Sequence, residues 1–129
     1  MPINILIVDD SATMRGFIKR TLEMTQLPLG EICEAGNGRE GLEQMNDHWV
    51  DLVLADLNMP DMTGVEMIEE MSHHAMLAAI PVIVVSSEGD QAVLHSLAQK
   101  GVKEFIRKPF HSGLLQEVVE RVLSVVGQG

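Results

Sequence analysis

The chain has 129 residues, the size of one domain, and a fold of this length buries roughly two thirds of its unfolded surface. Apolar residues make up 46% of it, yet it holds only 3 Phe, 1 Trp and no Tyr, so aliphatic side chains must build the core. Its 9 Lys plus Arg against 19 Asp plus Glu give a formal charge of -10, which repels nucleic acid and anionic membranes and excludes direct DNA binding.

Cys33 is the single cysteine, so no internal disulfide can form. A reducing, cytoplasmic compartment is expected, with Cys33 as a small core residue. The start, Met1-Pro2-Ile3-Asn4, enters an apolar run without the basic segment and cleavage site of a signal peptide. No apolar stretch approaches the roughly 18 to 20 residues that span a bilayer, so no membrane association is expected.

Strand-like and helix-like apolar patterns alternate along the whole chain. Residues 4–9 read as a first strand, followed by Met14, Phe17, Ile18 and Leu22 at helical spacing. Pro28 and Gly30 mark a return loop, and residues 31–35 a second strand. Asn37 and Glu40 have the spacing of a capping box for a helix that turns Leu42 and Met45 inward. Residues 51–56 form a third strand, a loop carries Asn58, Pro60, Asp61, Thr63 and Gly64, and the next helix shows a stripe of Val65, Ile68 and Met71.

Pro81 opens a fourth strand, Val82-Ile83-Val84-Val85, apolar on both faces and therefore central in a parallel sheet. A helix over 88–100 places Ala92, Val93, Leu97 and Ala98 inward and ends at Gly101. Residues 103–107 give a fifth strand, and Leu115, Val118, Val119, Val122 and Val126 mark a closing amphipathic helix. The expected fold is a single α/β domain over residues 1–129: a doubly wound, five-stranded parallel sheet with five helices and right-handed crossovers.

Ligands of such sheets bind beyond the carboxyl ends of the strands, where the strand order reverses. Asp9, Asp10, Asp56, Ser86 and Lys108 all fall there. Carboxylates brought together repel, and a divalent cation removes that repulsion. Magnesium takes oxygen ligands, keeps several waters and bridges to phosphate oxygens. Asp10 and Asp56 suit it, with Asp9 acting partly through water. Asp56, ending the central strand, is then a nucleophile able to form an aspartyl phosphate. Lys108 supplies positive charge and Ser86 a hydroxyl donor to the phosphoryl oxygens. Each residue alone has a plainer reading as a turn, cap or solvated residue. Their joint occurrence at four strand ends outweighs it.

These segments carry a resemblance. Ile7-Val8-Asp9-Asp10-Ser11, Ala55-Asp56-Leu57-Asn58-Met59-Pro60 with Gly64, Val85-Ser86-Ser87 and Lys108-Pro109-Phe110 resemble the motif set of the response-regulator receiver domain of two-component systems. The likeness spans the chain and is strongest to stand-alone chemotaxis members. It implies a flavodoxin-like sheet in the order 2-1-3-4-5, with Asp56 as phosphoacceptor and Lys108 on the phosphoryl group. It further implies magnesium, or alternatively manganese, held by Asp9, Asp10, Asp56 and the backbone carbonyl of Asn58, and a cis peptide before Pro109.

The same resemblance makes Ser86 the hydroxyl switch and Phe105 the aromatic switch, and assigns Asn58 and Glu88 to tuning self-dephosphorylation on a scale of seconds to minutes. Phe105 stands where the family often has Tyr, so it can only exchange burial for exposure. The implied partners are a histidine kinase and a downstream protein. The latter would bind the face made by the helix over 88–100, the fifth strand and the closing helix, with Gln91, Leu94, His95, Lys103 and Gln116 as exposed candidates. Apart from its own phosphorylation and dephosphorylation no enzyme activity is expected, and the expected state is a monomer, with a dimer as the alternative.

Other readings are a phosphorelay receiver, or a truncated receiver of a larger regulator. More distant is a haloacid dehalogenase-type phosphohydrolase, which expects Asp where Asn58 stands. An FMN carrier is disfavoured because Ser11-Ala12-Thr13 makes a poor phosphate loop and aromatic residues are scarce. His73, His74 and His111 lack zinc-ligand spacing. The Met residues, among them Met59, Met62, Met67 and Met71, read as filler, and Trp49 as a packing residue.

Overall fold

The computed structural model describes the backbone of residues 2–87 and 89–127 and the side chains up to residue 124. Glu88 and the side chain of Val126 therefore lie outside the described residues. The first half runs β1 (Ile3–Val8), α1 (Ala12–Glu23), β2 (Leu29–Ala35), α2 (Gly38–Asp47), β3 (Leu52–Ala55) and α3 (Gly64–Ser72). The second runs α4 (Ala75–Ala78), β4 (Val82–Ser86), α5 (Gln91–Ala98), β5 (Val102–Arg107) and α6 (Ser112–Gly127). All strand pairings are parallel, in the order β2-β1-β3-β4-β5, as expected.

Alternation along the strands builds two cores. Leu6, Val8, Val53, Ala55, Val82 and Val84 pack on one face with Met45 of α2, Met67, Ile68 and Met71 of α3 and Leu97 of α5. Ile5, Ile7, Leu52, Leu54, Ile83, Val85 and Ile106 pack on the other with Ile18 and Leu22 of α1 and with Leu115, Val118, Val119 and Val122 of α6. The Phe17 and Phe110 rings, with centroids 5.7 Å apart, join α1 to the segment after β5.

Local chemistry sets the helix starts. Ser11 caps α1 by accepting from the Met14 amide, and Asn37 caps α2 by accepting from the Glu40 amide. Glu40 does not complete a capping box, because its carboxylate accepts from the Gly36 amide instead. The reciprocal box forms at Thr63 and Glu66, ahead of α3. Gly101 follows α5 with φ of 100°, the left-handed conformation that glycine adopts without strain.

Several expectations are corrected. A sixth helix, the four-residue α4, precedes β4; a single turn is too short for periodicity to reveal. Gly30 lies within β2 rather than in the return loop. Val65 is exposed, because α3 begins at Gly64 and the phase set by its cap turns Met67, Ile68 and Met71 inward. Ala92 and Ala98 are exposed, and α5 buries Leu97 with Val93 and Leu94 half-buried beside it. Cys33 is half-buried on an edge strand rather than in the core. Trp49 is 68% exposed, held at the surface by its Nε1–H donating to Asp51 Oδ1 at 2.9 Å.

Candidate functional site

The strand order reverses between β1 and β3, and the candidate residues gather at that end of the sheet. Asp9 and Asp10 follow β1, Asp56 follows β3, Ser86 ends β4 and Lys108 follows β5. Asp9 and Asp56 are held in place by neighbouring strands: the Asp9 amide donates to Ala35 O at 3.0 Å and the Asp56 amide to Val8 O at 2.9 Å. The Lys108 amide donates to Ser86 O at 3.1 Å.

Asp9 is 1% exposed and Asp56 8%, so each carboxylate needs compensation within the protein. Asp9 Oδ1 accepts from the Ser11 amide at 2.9 Å. Asp56 Oδ1 accepts from the Leu57 amide at 2.6 Å and the Asn58 amide at 3.3 Å. The remaining oxygens share one ammonium, with Lys108 Nζ donating to Asp9 Oδ2 at 2.8 Å and to Asp56 Oδ2 at 3.0 Å. Burial presses the Lys108 pKa down, but the hydrogen bonds to Asp9 and Asp56, with their charges, outweigh it and hold it above the usual lysine range. The Lys108–Pro109 peptide is cis, as the resemblance implied.

Asp10 is exposed, and its carboxylate completes a group: oxygens of Asp9, Asp10 and Asp56 all lie within 4.8 Å of one another. Hard oxygen donors at this spacing fit a magnesium-type cation. Asn58 is exposed two residues beyond Asp56.

Gly64 shapes this loop by close approach. A Cβ there would stand 2.0 Å from the Asp56 carbonyl oxygen and 2.9 Å from Leu57 Cα, and its amide donates to Leu57 O at 2.9 Å. Glycine is thus what lets α3 start directly against the backbone that carries Asp56. Arg15, which the sequence reading did not single out, donates from Nη1 to Asp9 O at 2.6 Å and pairs through Nε with Glu34 at 2.9 Å. Its one local signal is a position four residues after Ser11; the Glu34 partner comes from β2.

Ser86 is buried, and Phe105 is half-buried against the core. Between them lies a small cavity of about 70 Å³, lined by Val84, Ser86, Leu94, Phe105, Ile106 and Arg107. On the adjoining face Gln91, His95 and Lys103 are exposed as expected, whereas Leu94 and Gln116 are half-buried. A wider groove, about 1070 Å³, is elsewhere: Val50, Trp49, Met76 and Pro81 line it at the opposite ends of β3 and β4. Among the described residues no helix is long and apolar enough to cross a membrane.

A parallel sheet of this order, with carboxylates and an ammonium gathered at its switch point, defines a class. The chain belongs to the response regulator receiver domain family, which it matches over residues 5–120. Within that family it is 36% identical to the chemotaxis protein CheY of Bacillus subtilis (strain 168), covering 96% of this chain and 100% of that protein. It is 34% identical to the chemotaxis protein CheY1 of Helicobacter pylori (strain ATCC 700392 / 26695), covering 94% and 97%. Similar solved structures include a CheY-like receiver domain protein from Methanospirillum hungatei JF-1, with a TM-score of 0.87, 26% identity and coverage of 99% and 98%. Chemotaxis protein CheY4 of Vibrio cholerae gives a TM-score of 0.84, 27% identity and coverage of 95% and 100%.

Proposed function

We propose that this chain is a phosphoacceptor receiver domain of a chemotaxis-type two-component system, working in the cytoplasm. The observation that carries the reading is Lys108 Nζ placed between Asp9 and Asp56, at 2.8 and 3.0 Å, at the carboxyl ends of β1 and β3. An ammonium so placed can leave the carboxylate pair for a phosphoryl oxygen without losing its charge partner.

In the proposed reaction an Asp56 carboxylate oxygen attacks the phosphorus of a phosphohistidine on a histidine kinase. The new phosphorus–oxygen bond forms as the phosphorus–nitrogen bond breaks, and the imidazole departs with the electron pair. Asp9, Asp10, Asp56 and the carbonyl of Asn58 would hold magnesium, or manganese in its place, which when bound supplies charge neutralisation between carboxylate and phosphoryl oxygens. Lys108 binds the phosphoryl group as a point charge, and the Ser86 hydroxyl donates to another of its oxygens.

The product adds about -1.5 to -2 charges and three acceptor oxygens at the end of β3. Ser86 moving toward them leaves room for Phe105 to turn into the adjoining cavity. That repacking alters the face of α5, β5 and α6, where the downstream protein is proposed to bind. Asn58 and Glu88 set the access of the attacking water, giving a phosphoryl lifetime of seconds to minutes.

The test is intact mass after incubation with acetyl phosphate or phosphoramidate and magnesium. One phosphoryl adduct that needs magnesium and is missing from Asp56→Asn is expected. Failure of wild type to form it, or an adduct that survives in Asp56→Asn, overturns the assignment. Continuous turnover of many phosphoesters would instead identify a phosphohydrolase, and an adduct persisting for hours removes the proposed role of Asn58 and Glu88.

A further inference from the structure

A second cluster of metal-ligating groups lies away from the acidic one. Glu31 and Cys33 are two residues apart on β2, so their side chains leave the same face of that edge strand. Ile32 between them pairs with Ile5, and Cys33 with Leu6, which sets the cluster at the middle of the β1–β2 pair rather than at the carboxyl ends that carry Asp9 and Asp56. Over this face runs α2, whose C-cap is His48. Cys33 Sγ donates to Glu31 Oε1 at 3.1 Å, and His48 Nδ1 lies 3.0 Å from the same oxygen. One donor atom from each residue lies within 4.8 Å of the other two.

We propose that Glu31, Cys33 and His48 form a binding site for a zinc-class divalent ion, distinct from the magnesium-type cluster at the phosphoacceptor. Zinc bonds of about 2.0–2.3 Å in a tetrahedron set donor atoms about 3.4–3.6 Å apart, so Glu31 Oε1 need open by only about half an ångström from its two neighbours. Two of the groups rest on rigid backbone. The Glu31 amide donates to Asn4 Oδ1 at 2.8 Å, and the His48 amide closes the last turn of α2 on Gln44 O at 3.0 Å. The carboxyl end of α2 also presents the negative end of its peptide dipole to a cation.

The donor chemistry selects the ion. Thiolate, imidazole and carboxylate together suit zinc or cobalt, whereas magnesium prefers oxygen alone. On binding, the sulfur–hydrogen bond of Cys33 is replaced by a sulfur–metal bond and the proton leaves to solvent. The Glu31 carboxylate and the Cys33 thiolate then balance the two charges of the ion, and water can fill a fourth position. The bound ion would clamp the open edge of the sheet to the connection between α2 and β3.

The probe is cobalt(II), titrated into the metal-free full chain with absorbance read in the near ultraviolet and visible. Wild type and Asp56→Asn are expected to bind one equivalent with a thiolate-to-cobalt charge-transfer band that zinc abolishes and excess magnesium leaves intact. Cys33→Ser should lose the band. His48→Gln and Glu31→Gln should each bind at least about tenfold more weakly, since even removing a partner behind a metal ligand costs about 10- to 100-fold. Zinc should slow maleimide modification of Cys33 in wild type, and His48→Gln should need at least about tenfold more zinc for the same protection. The proposal is overturned by a wild type without the band. It is equally overturned by affinities unchanged in His48→Gln and Glu31→Gln, or by binding that survives Cys33→Ser and disappears in Asp56→Asn.

Discussion

Replacing Lys108 by Met keeps most of the side-chain volume and removes the charge between two buried carboxylates. At an effective dielectric of about 20, contacts of 2.8 Å to Asp9 and 3.0 Å to Asp56 are each worth ~6 kcal/mol of gross attraction. Desolvation of the three groups opposes most of that, and removing one partner of a buried pair typically costs about 3–5 kcal/mol. Here the Lys108 side chain keeps 19% of its exposure and the Ser11 and Leu57 amides still serve the carboxylates, so a loss of about 2–4 kcal/mol is expected. The assay is urea unfolding in EDTA and again in saturating magnesium. Magnesium should return part of the loss, because a cation replaces the missing charge. In an Asp56→Asn background Lys108→Met should cost less, since one of the two buried like charges left uncompensated is gone. A Lys108→Met variant as stable as wild type in EDTA, or equally costly in both backgrounds, would refute the charge-compensation account.

Contacts at Gly64, Phe105 and Cys33 set four further outcomes. Gly64→Ala puts a Cβ 2.0 Å from the Asp56 carbonyl oxygen; it should cost at least about 2 kcal/mol by urea unfolding and slow phosphoryl adduct formation, and a neutral effect on both would show that the loop yields freely. Phe105→Ala, at a half-buried position beside an existing cavity, should cost about 1.5–3 kcal/mol, below the range for a fully buried ring. In a beryllofluoride-bound crystal structure Phe105 should be turned inward, and an unchanged rotamer would refute its proposed role as a switch. Burial first, then the hydrogen bond and charge of Glu31, push the Cys33 thiol up to about 11, above its ordinary 9.0. Its alkylation rate should therefore reach half-maximum nearer pH 11 than 9, and the thiol's contribution to stability, full below pH 9, should fall as pH rises through that window; an alkylation midpoint at or below 9 would contradict the geometry.

Apolar runs such as Ile5 to Val8, Leu52 to Ala55 and Val82 to Val85 are short, continuous and closed by polar residues, so the strands and the carboxyl ends that carry Asp9, Asp56 and Ser86 were legible directly. Helix phase was less so. Val65 and Met67 are both apolar, and which of them faces the sheet depends on where Thr63 caps α3. In α5 the alanines hid the phase, since a small side chain is nearly as stable outside as inside. Trp49 misled because aromatic bulk suggests burial, while its Nε1–H found a surface partner in Asp51.

The order of charged residues along the chain determined by itself where the candidate site lies. Strand periodicity of two and the rule that parallel strands bind ligands at their carboxyl ends require Asp9, Asp10, Asp56 and Lys108 to meet. Only the tertiary structure decided which oxygens share the Lys108 ammonium, that Arg15 holds the backbone of Asp9, that a cavity adjoins Phe105, and that Cys33 meets His48 across an edge strand and a helix end. The reason is one of range. Periodicity and capping act over a few residues and are written in neighbours, whereas these contacts bridge separate elements, from 6 positions apart for Arg15 and Asp9 to 99 for Lys108 and Asp9, or fill space between elements whose separation no local pattern encodes.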